Sequence, residues 1–251
     1  MILSKEYITQ IRRALVLAKK DMRLYYFKGP VIIFGVLIPL FLFLAFSIGR
    51  SIPINSSVSG LLAMTLFFTA TAVSPVIIPW ETTMRTLERL VSTPITLSTI
   101  ILGNIIASFI FALIISAVPI IVGVLIGATI ANPIILIAGI IIAALCFSSI
   151  GILLSTPPSS MPSTIMMLAS LLKFPLIFIS GIFIPVEQMP GWGQAIAVFS
   201  PLTYFTDLAR HATQGVGYFP VIMDIGILLA LTAVFLYASI KLHKRNLSKR
   251  L

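Results

Sequence analysis

Runs of twenty or more residues that are almost wholly apolar recur along this chain, and they constrain its fold more than any other feature. About 20 consecutive apolar residues wound into a helix cross the roughly 30 Å hydrocarbon core of a bilayer. A soluble domain needs roughly 25% charged residues to face water; here 10% are charged and 59% hydrophobic, and the mean hydropathy is +1.12. The expected fold is all-α and polytopic, an integral membrane protein. With 251 residues the chain forms a single transmembrane domain, 1–251, with little left for a soluble one.

Hydropathy and helix breakers predict six spans, at 31–49, 58–79, 98–128, 133–156, 163–185 and 220–241. Pro119 is placed to kink the third. Gly123 and Gly127 form a GxxxG, read as helix packing. The basic residues then give the orientation. Fourteen of the 17 Lys and Arg precede the first span, separate the second from the third or follow the sixth, whereas Arg50 and Arg210 alone lie on the opposite side. The positive-inside rule puts both termini and segment 80–96 in the cytoplasm. An even number of spans requires same-side termini. The net charge of +10 is therefore topogenic and does not indicate nucleic acid.

Residues 1–28 lack the charge-then-apolar order of a secretory signal. Ile8, Ile11, Leu15, Ala18, Met22 and Tyr25 instead fall on one helical stripe flanked by cations. Such a helix lies in the cytoplasmic interface.

Segment 80–96, WETTMRTLERLVSTPIT, sets both signs of charge between two apolar runs. Trp80, Met84, Leu87 and Val91 form a stripe, Glu81 and Arg85 are spaced for an i,i+4 pair, and Pro94 disfavours helix at Thr93. A short amphipathic helix on the cytoplasmic surface is expected; a solvated linker helix would show the same pattern. Segment 181–217 is too apolar for an ordinary outer loop and is broken by Pro185, Pro190, Gly191, Gly193 and Pro201. Two short helices, 191–199 and 201–214, are expected to dip into the outer half of the membrane and return. Ser200 would cap the second with Pro201 at its first position, and Trp192 and Tyr204 suit the interface. Lys173 falls about ten residues into the fifth span, where an ammonium costs at least about 2.5 kcal/mol. It contacts an anionic substrate or another subunit, snorkels, or pairs structurally.

No GxxxxGK[ST] loop occurs, nor any Gly-Lys dipeptide, so this chain has no Walker A site. His211 and His243 stand far apart with no HExxH spacing, and no Ser, His and acid set is convincing. Neither a metal site nor a catalytic residue is expected. The single Cys146 excludes an intramolecular disulfide.

Together these residues resemble the membrane subunit of an ABC-2 type exporter. The likeness rests on ETTMRTLERLVSTPIT between the second and third spans and on SGIFIPVEQMPGWGQAIAVFSPLTYFTDLAR between the fifth and sixth. The resemblance implies a dimer with a second permease copy or paralogue in the cell membrane. It also implies a separate cytoplasmic ABC ATPase that binds the MgATP, and no cofactor on this chain. Glu81, Arg85, Thr86, Leu87, Glu88 and Arg89 would form a coupling helix seated in that ATPase. Gly181, Pro185, Pro190, Trp192, Pro201 and Tyr204 would form the outer gate of the pathway, in and just before the re-entrant outer helices (186–217). Arg85 stands where the family often has glycine, and Ser200 where it often has asparagine. The alternative is an ion-gradient-driven secondary transporter or channel subunit. It would favour buried mid-span acids, which the predicted spans lack.

Overall fold

The computed structural model describes residues 2–48, 53–159 and 161–247. Arg50, Lys249, Arg250 and the last residue of the first expected span lie outside the described residues. Every regular element among those described is helical, and none is a strand. In lipid no water is available to satisfy backbone N–H and C=O groups, so the chain must satisfy them within its own helices.

The N-terminal helix α1 (Ile2–Asp21) continues through a π-helical turn at Met22–Tyr26, and α2 (Gly29–Ser47) follows. The two axes meet at 88°. The second expected span forms two helices, α3 (Ile54–Ala70) and α4 (Ser74–Thr83), nearly in line. Proline causes the break: Pro75 lacks the N–H that a continuous helix would donate to the Thr71 carbonyl. The short α5 (Thr86–Val91) leads to α6 (Leu97–Leu125), α7 (Pro133–Leu154) and α8 (Pro162–Phe178). Beyond a single 3₁₀ turn at Val186–Gln188 come α9 (Gly191–Ala197), α10 (Pro201–Gln214) and α11 (Val221–Asn246).

Among the described residues, four stretches are each long and apolar enough to cross a bilayer: 54–83 as a unit, α6, α7 and α11. The bent pair α1–α2 makes a fifth if taken as one. At 17 residues, α8 is shorter than the 163–185 segment predicted for it. Its helix stops at Phe178 because Gly181 then turns the chain at φ 81° and Pro185 follows.

Helix α6 ends where a glycine is required. Gly127 has φ 94°, its N–H reaches the Val124 carbonyl at 3.1 Å, and the Ala128 N–H reaches Gly123 at 2.9 Å. These are the two bonds of a Schellman stop. The two glycines of the GxxxG therefore act separately: Gly127 ends α6, and Gly123 lets Val58 of α3 approach to where a β-carbon would stand. Pro119 lies within an unbroken α6.

The core gathers around α3, almost entirely enclosed by α2, α6, α7 and α10. Phe67, Phe147 and Phe205 meet edge to face there, with ring centres 5.1 and 6.0 Å apart, alongside Leu62, Met64 and Leu202. The opposite faces expose Ile33, Phe41, Ile121, Leu125, Ile134 and Ile222, among others. So much exposed aliphatic surface matches a hydrocarbon solvent.

Candidate functional site

The polar island at 80–96 is built from four elements. Helix α4 ends at Thr83, and Arg85 takes a left-handed conformation at φ 54°, ψ 22°. A β-carbon disfavours that region and glycine does not, so Arg85 carries a conformational cost that the glycine expected from the family resemblance would avoid. The reversal takes Arg85 out of helical register with Glu81. The expected Glu81–Arg85 pair does not form.

Glu81 instead points inward. It is 2% exposed and accepts from the Lys20 Nζ of α1, which also lies 3.1 Å from Asp21. Burial raises the Asp21 carboxyl from 3.8 to about 6; Lys20 opposes that shift and Glu81 adds to it. Lys20 itself is held above its ordinary value: burial lowers it, but Asp21 and Glu81 together outweigh burial. Trp80 stacks on Tyr25 at 5.6 Å, joining the same two helices.

The expected apolar stripe is likewise split. Leu87 is 1% exposed among Leu17, Ile78, Ile101 and Ile152, whereas Met84 is 72% exposed beside the turn. Thr86 is half-buried and its hydroxyl donates to the Glu81 carbonyl at 3.2 Å, tying α5 to α4. Arg85, Glu88 and Arg89 are exposed. Thus, of the six residues expected in a coupling helix, three point outward and Glu81 and Leu87 serve as anchors.

Helix α1 braces the far end of this segment. Arg13 and Gln10 donate to the Pro94 carbonyl, and the Thr99 hydroxyl donates to Gln10 Oε1 at 2.7 Å. Thr96 caps α6 by accepting the Thr99 N–H at 3.2 Å. The buried face of α1 is Ala14, Leu17, Ala18 and Asp21, while Ile8, Ile11 and Leu15 of the predicted stripe face outward. Gly103 of α6 makes this contact possible, because a β-carbon there would meet Leu17 at 2.8 Å.

Lys173 of α8 donates to the Thr71 carbonyl at 2.6 Å, the group that Pro75 deprives of its helical donor. Its position thus has a structural explanation. The same side chain borders a cleft of about 320 Å³ lined by Gly35, Phe68, Val76, Trp80 and Ser170.

In the second motif, Gly181 turns at φ 81° and its carbonyl accepts from Arg210 at 2.5 Å. Pro185 precedes the 3₁₀ turn and Pro190 precedes α9; Pro201 opens α10. Two short helices form here, Gly191–Ala197 and Pro201–Gln214, against the expected 191–199 and 201–214. Ser200 makes no capping bond, however; Pro201 starts the helix and the Ser200 hydroxyl is buried without a partner. Trp192 is 70% exposed, as suits an interface, but Tyr204 is buried and donates to Val198 O at 2.6 Å. From α10, Asp207 accepts the N–H groups of Tyr218 and Phe219 at 2.8 and 2.7 Å.

Sequence reasoning missed two associations. One is Lys20 and Asp21 with Glu81, separated by sixty residues and without a sequence signal. The other brings Asp207 and His211 of α10 to Asp224 of α11; the i,i+4 spacing of the first two was visible.

The fold defines a multi-pass helical membrane protein. The chain belongs to the ABC-2 type transporter family, whose sequence profile matches residues 7–213. It is similar to the daunorubicin resistance ABC transporter permease protein DrrB1 of Streptomyces coeruleorubidus, 30% identical over 104 residues covering 40% of this chain and 34% of that protein. It is also similar to nodulation protein J of Rhizobium leguminosarum bv. viciae, 33% identical over 110 residues covering 44% of this chain and 42% of the relative. The matched segments thus span well under half of either relative's length.

Proposed function

We propose that this chain is the membrane-spanning subunit of an ATP-driven exporter, working as a dimer with a second permease and powered by a separate cytoplasmic ATPase that binds the MgATP. One observation carries the reading: α5 is a platform, held by Leu87 in the core while Arg85, Glu88 and Arg89 remain in solvent. A linker has no need of such an anchor. The 14 Lys and Arg in this segment, before the first span and after the last, against Arg50 and Arg210 on the other side, support a cytoplasmic position for it and for both termini.

The six spans of this reading are α2, the α3–α4 unit, α6, α7, α8 and α11. Helix α1 lies in the membrane plane, consistent with its 88° angle to α2, and α9 and α10 form the outer re-entrant pair. ATP binding draws two ATPase subunits together, α5 moves with them, and the Lys20–Glu81 pair transmits the motion to α1. The bundles then rock and open a pathway between the two halves.

The test is charge reversal on the platform. Arg85→Glu and Glu88→Lys should each lower ATPase retention on purification severalfold and uncouple ATPase activity in the reconstituted complex. Unchanged values for both variants would refute the docking assignment.

A further inference from the structure

Where α10 meets α11, Asp207, His211 and Asp224 each offer a ligand atom, and these atoms all lie within 4.8 Å of one another. Asp224 is 0% exposed, and neither of its carboxylate oxygens has a hydrogen-bond partner. A buried carboxylate without a partner is costly, by several kcal/mol for an ion even after relaxation. Its nearest charged neighbour is another carboxylate, which worsens the imbalance. Asp207 is already oriented by the N–H groups of Tyr218 and Phe219. Arg210, the cation on the same helix, turns away to donate to Gly181 O, and no ion pair among the described residues reaches Asp224. Asp224 itself lacks a paired cation.

His211 supplies the softer ligand. Its Nε2 lies 4.0 Å from Asp207 Oδ2 and 2.8 Å from the Phe219 carbonyl. The ring occupies the space a β-carbon at Gly217 would fill, 2.2 Å from Nε2, so the 215–219 turn is shaped around the imidazole. Asp207 and His211 project from one face of α10 one turn apart, and Asp224 approaches from the first turn of α11. Two ligands at i,i+4 on one helix with a third from another element is a common framework for a transition-metal ion, and imidazole with carboxylate suits zinc.

We propose that Asp207, His211 and Asp224 bind one divalent cation of the zinc class, pinning α10 and the following turn to α11. Zinc ligands stand about 2.0–2.2 Å from the ion, so the three groups close by roughly an ångström, and His211, with its proton shifted to Nδ1, turns Nε2 from the Phe219 carbonyl to the metal. That carbonyl or a water completes the fourth position. The site does not depend on the transport reading above. A zinc ion here would hold the α9–α10 hairpin against the last helix.

The experiment uses the full chain in detergent, purified with any bound partner through a histidine-free tag. After chelation, Zn²⁺ is added, excess ion is removed, and retained metal and melting temperature are measured. About one zinc per chain and a melting temperature raised by Zn²⁺ are expected. Asp224→Asn should abolish both, and His211→Gln should weaken retention at least tenfold. Co²⁺ in the unmutated chain should give the intense visible bands of a four- or five-coordinate site, a readout independent of how any variant folds. Retention of zinc unaltered by both substitutions, or weak octahedral Co²⁺ bands, would overturn the proposal. So would an Asp224→Asn chain that melts higher in a background that never retains zinc, because a proton shared by the two carboxyls would then supply the missing charge.

Discussion

Asp21 provides a test of the junction between α1 and α4 because its environment opposes its own charge. It is 3% exposed, beside Lys20 at 3.1 Å, with Glu81 across the interface and Tyr25 one turn on. Burial moves its carboxyl from 3.8 to about 6. Between those values the folded chain holds a proton that the unfolded chain has released, so stability falls as pH rises through the window, and the whole loss is present above about pH 6. A gap of about two pH units corresponds to about 3 kcal/mol. Lys20 is 32% exposed at its side chain, where solvent screens its interactions, and a realised penalty of about 1–3 kcal/mol is the better figure. Asp21→Asn removes the ionisation and leaves Lys20 its Glu81 partner. The variant should melt higher than the unmutated chain at pH 7.5, by about 2–12 °C at 2–4 °C per kcal/mol, and the difference should shrink to about a third of that near pH 4.5 and vanish below about pH 3.8. The assay is intrinsic fluorescence on heating in a fixed detergent at matched scan rates, with Trp80 as the local reporter. A variant that melts lower at pH 7.5, or a difference unchanged between the two pH values, would show that Asp21 is stabilised by its surroundings and that the argument is wrong.

The Lys173–Thr71 contact makes a paired prediction: Lys173→Met orphans a carbonyl and should lower stability by about 1–3 kcal/mol. Adding Pro75→Ala restores an N–H at the position where a helix would supply it, so the double variant should melt higher than the sum of the single effects predicts. Additivity in a double-mutant cycle would mean that Lys173 acts elsewhere. At the platform turn, Arg85→Gly should stabilise the fold by about 1 kcal/mol by relieving the left-handed β-carbon penalty. ATPase retention should fall at the same time if the charge is a docking contact, a separation readable by melting and copurification on one preparation.

The separate legibility of fold and site follows from what each depends on. Long apolar runs fix helices and their approximate limits because 1.5 Å per residue and the absence of water leave few alternatives. The expected 98–128 and 133–156 segments accordingly became 97–125 and 133–154. Departures occurred where one residue changed the hydrogen-bond accounting: Pro75 split the second span, and Gly127 ended the third before its apolar run did. Periodicity over 80–91 failed for a similar reason. A 3.6-residue pattern assumes an unbroken helix; the left-handed Arg85 resets the phase after α4, so Leu87 turns into the core while Met84, its partner in the predicted stripe, stays exposed. The inward partner of Glu81 lies sixty residues away, beyond the reach of any local pattern. Lys20 looked like one more topogenic cation until the fold brought α1 across α4 and α6. A buried acid in so apolar a chain requires a cation nearby; at Glu81 the fold supplies Lys20, and at Asp224 the same rule leads to the ion proposed above.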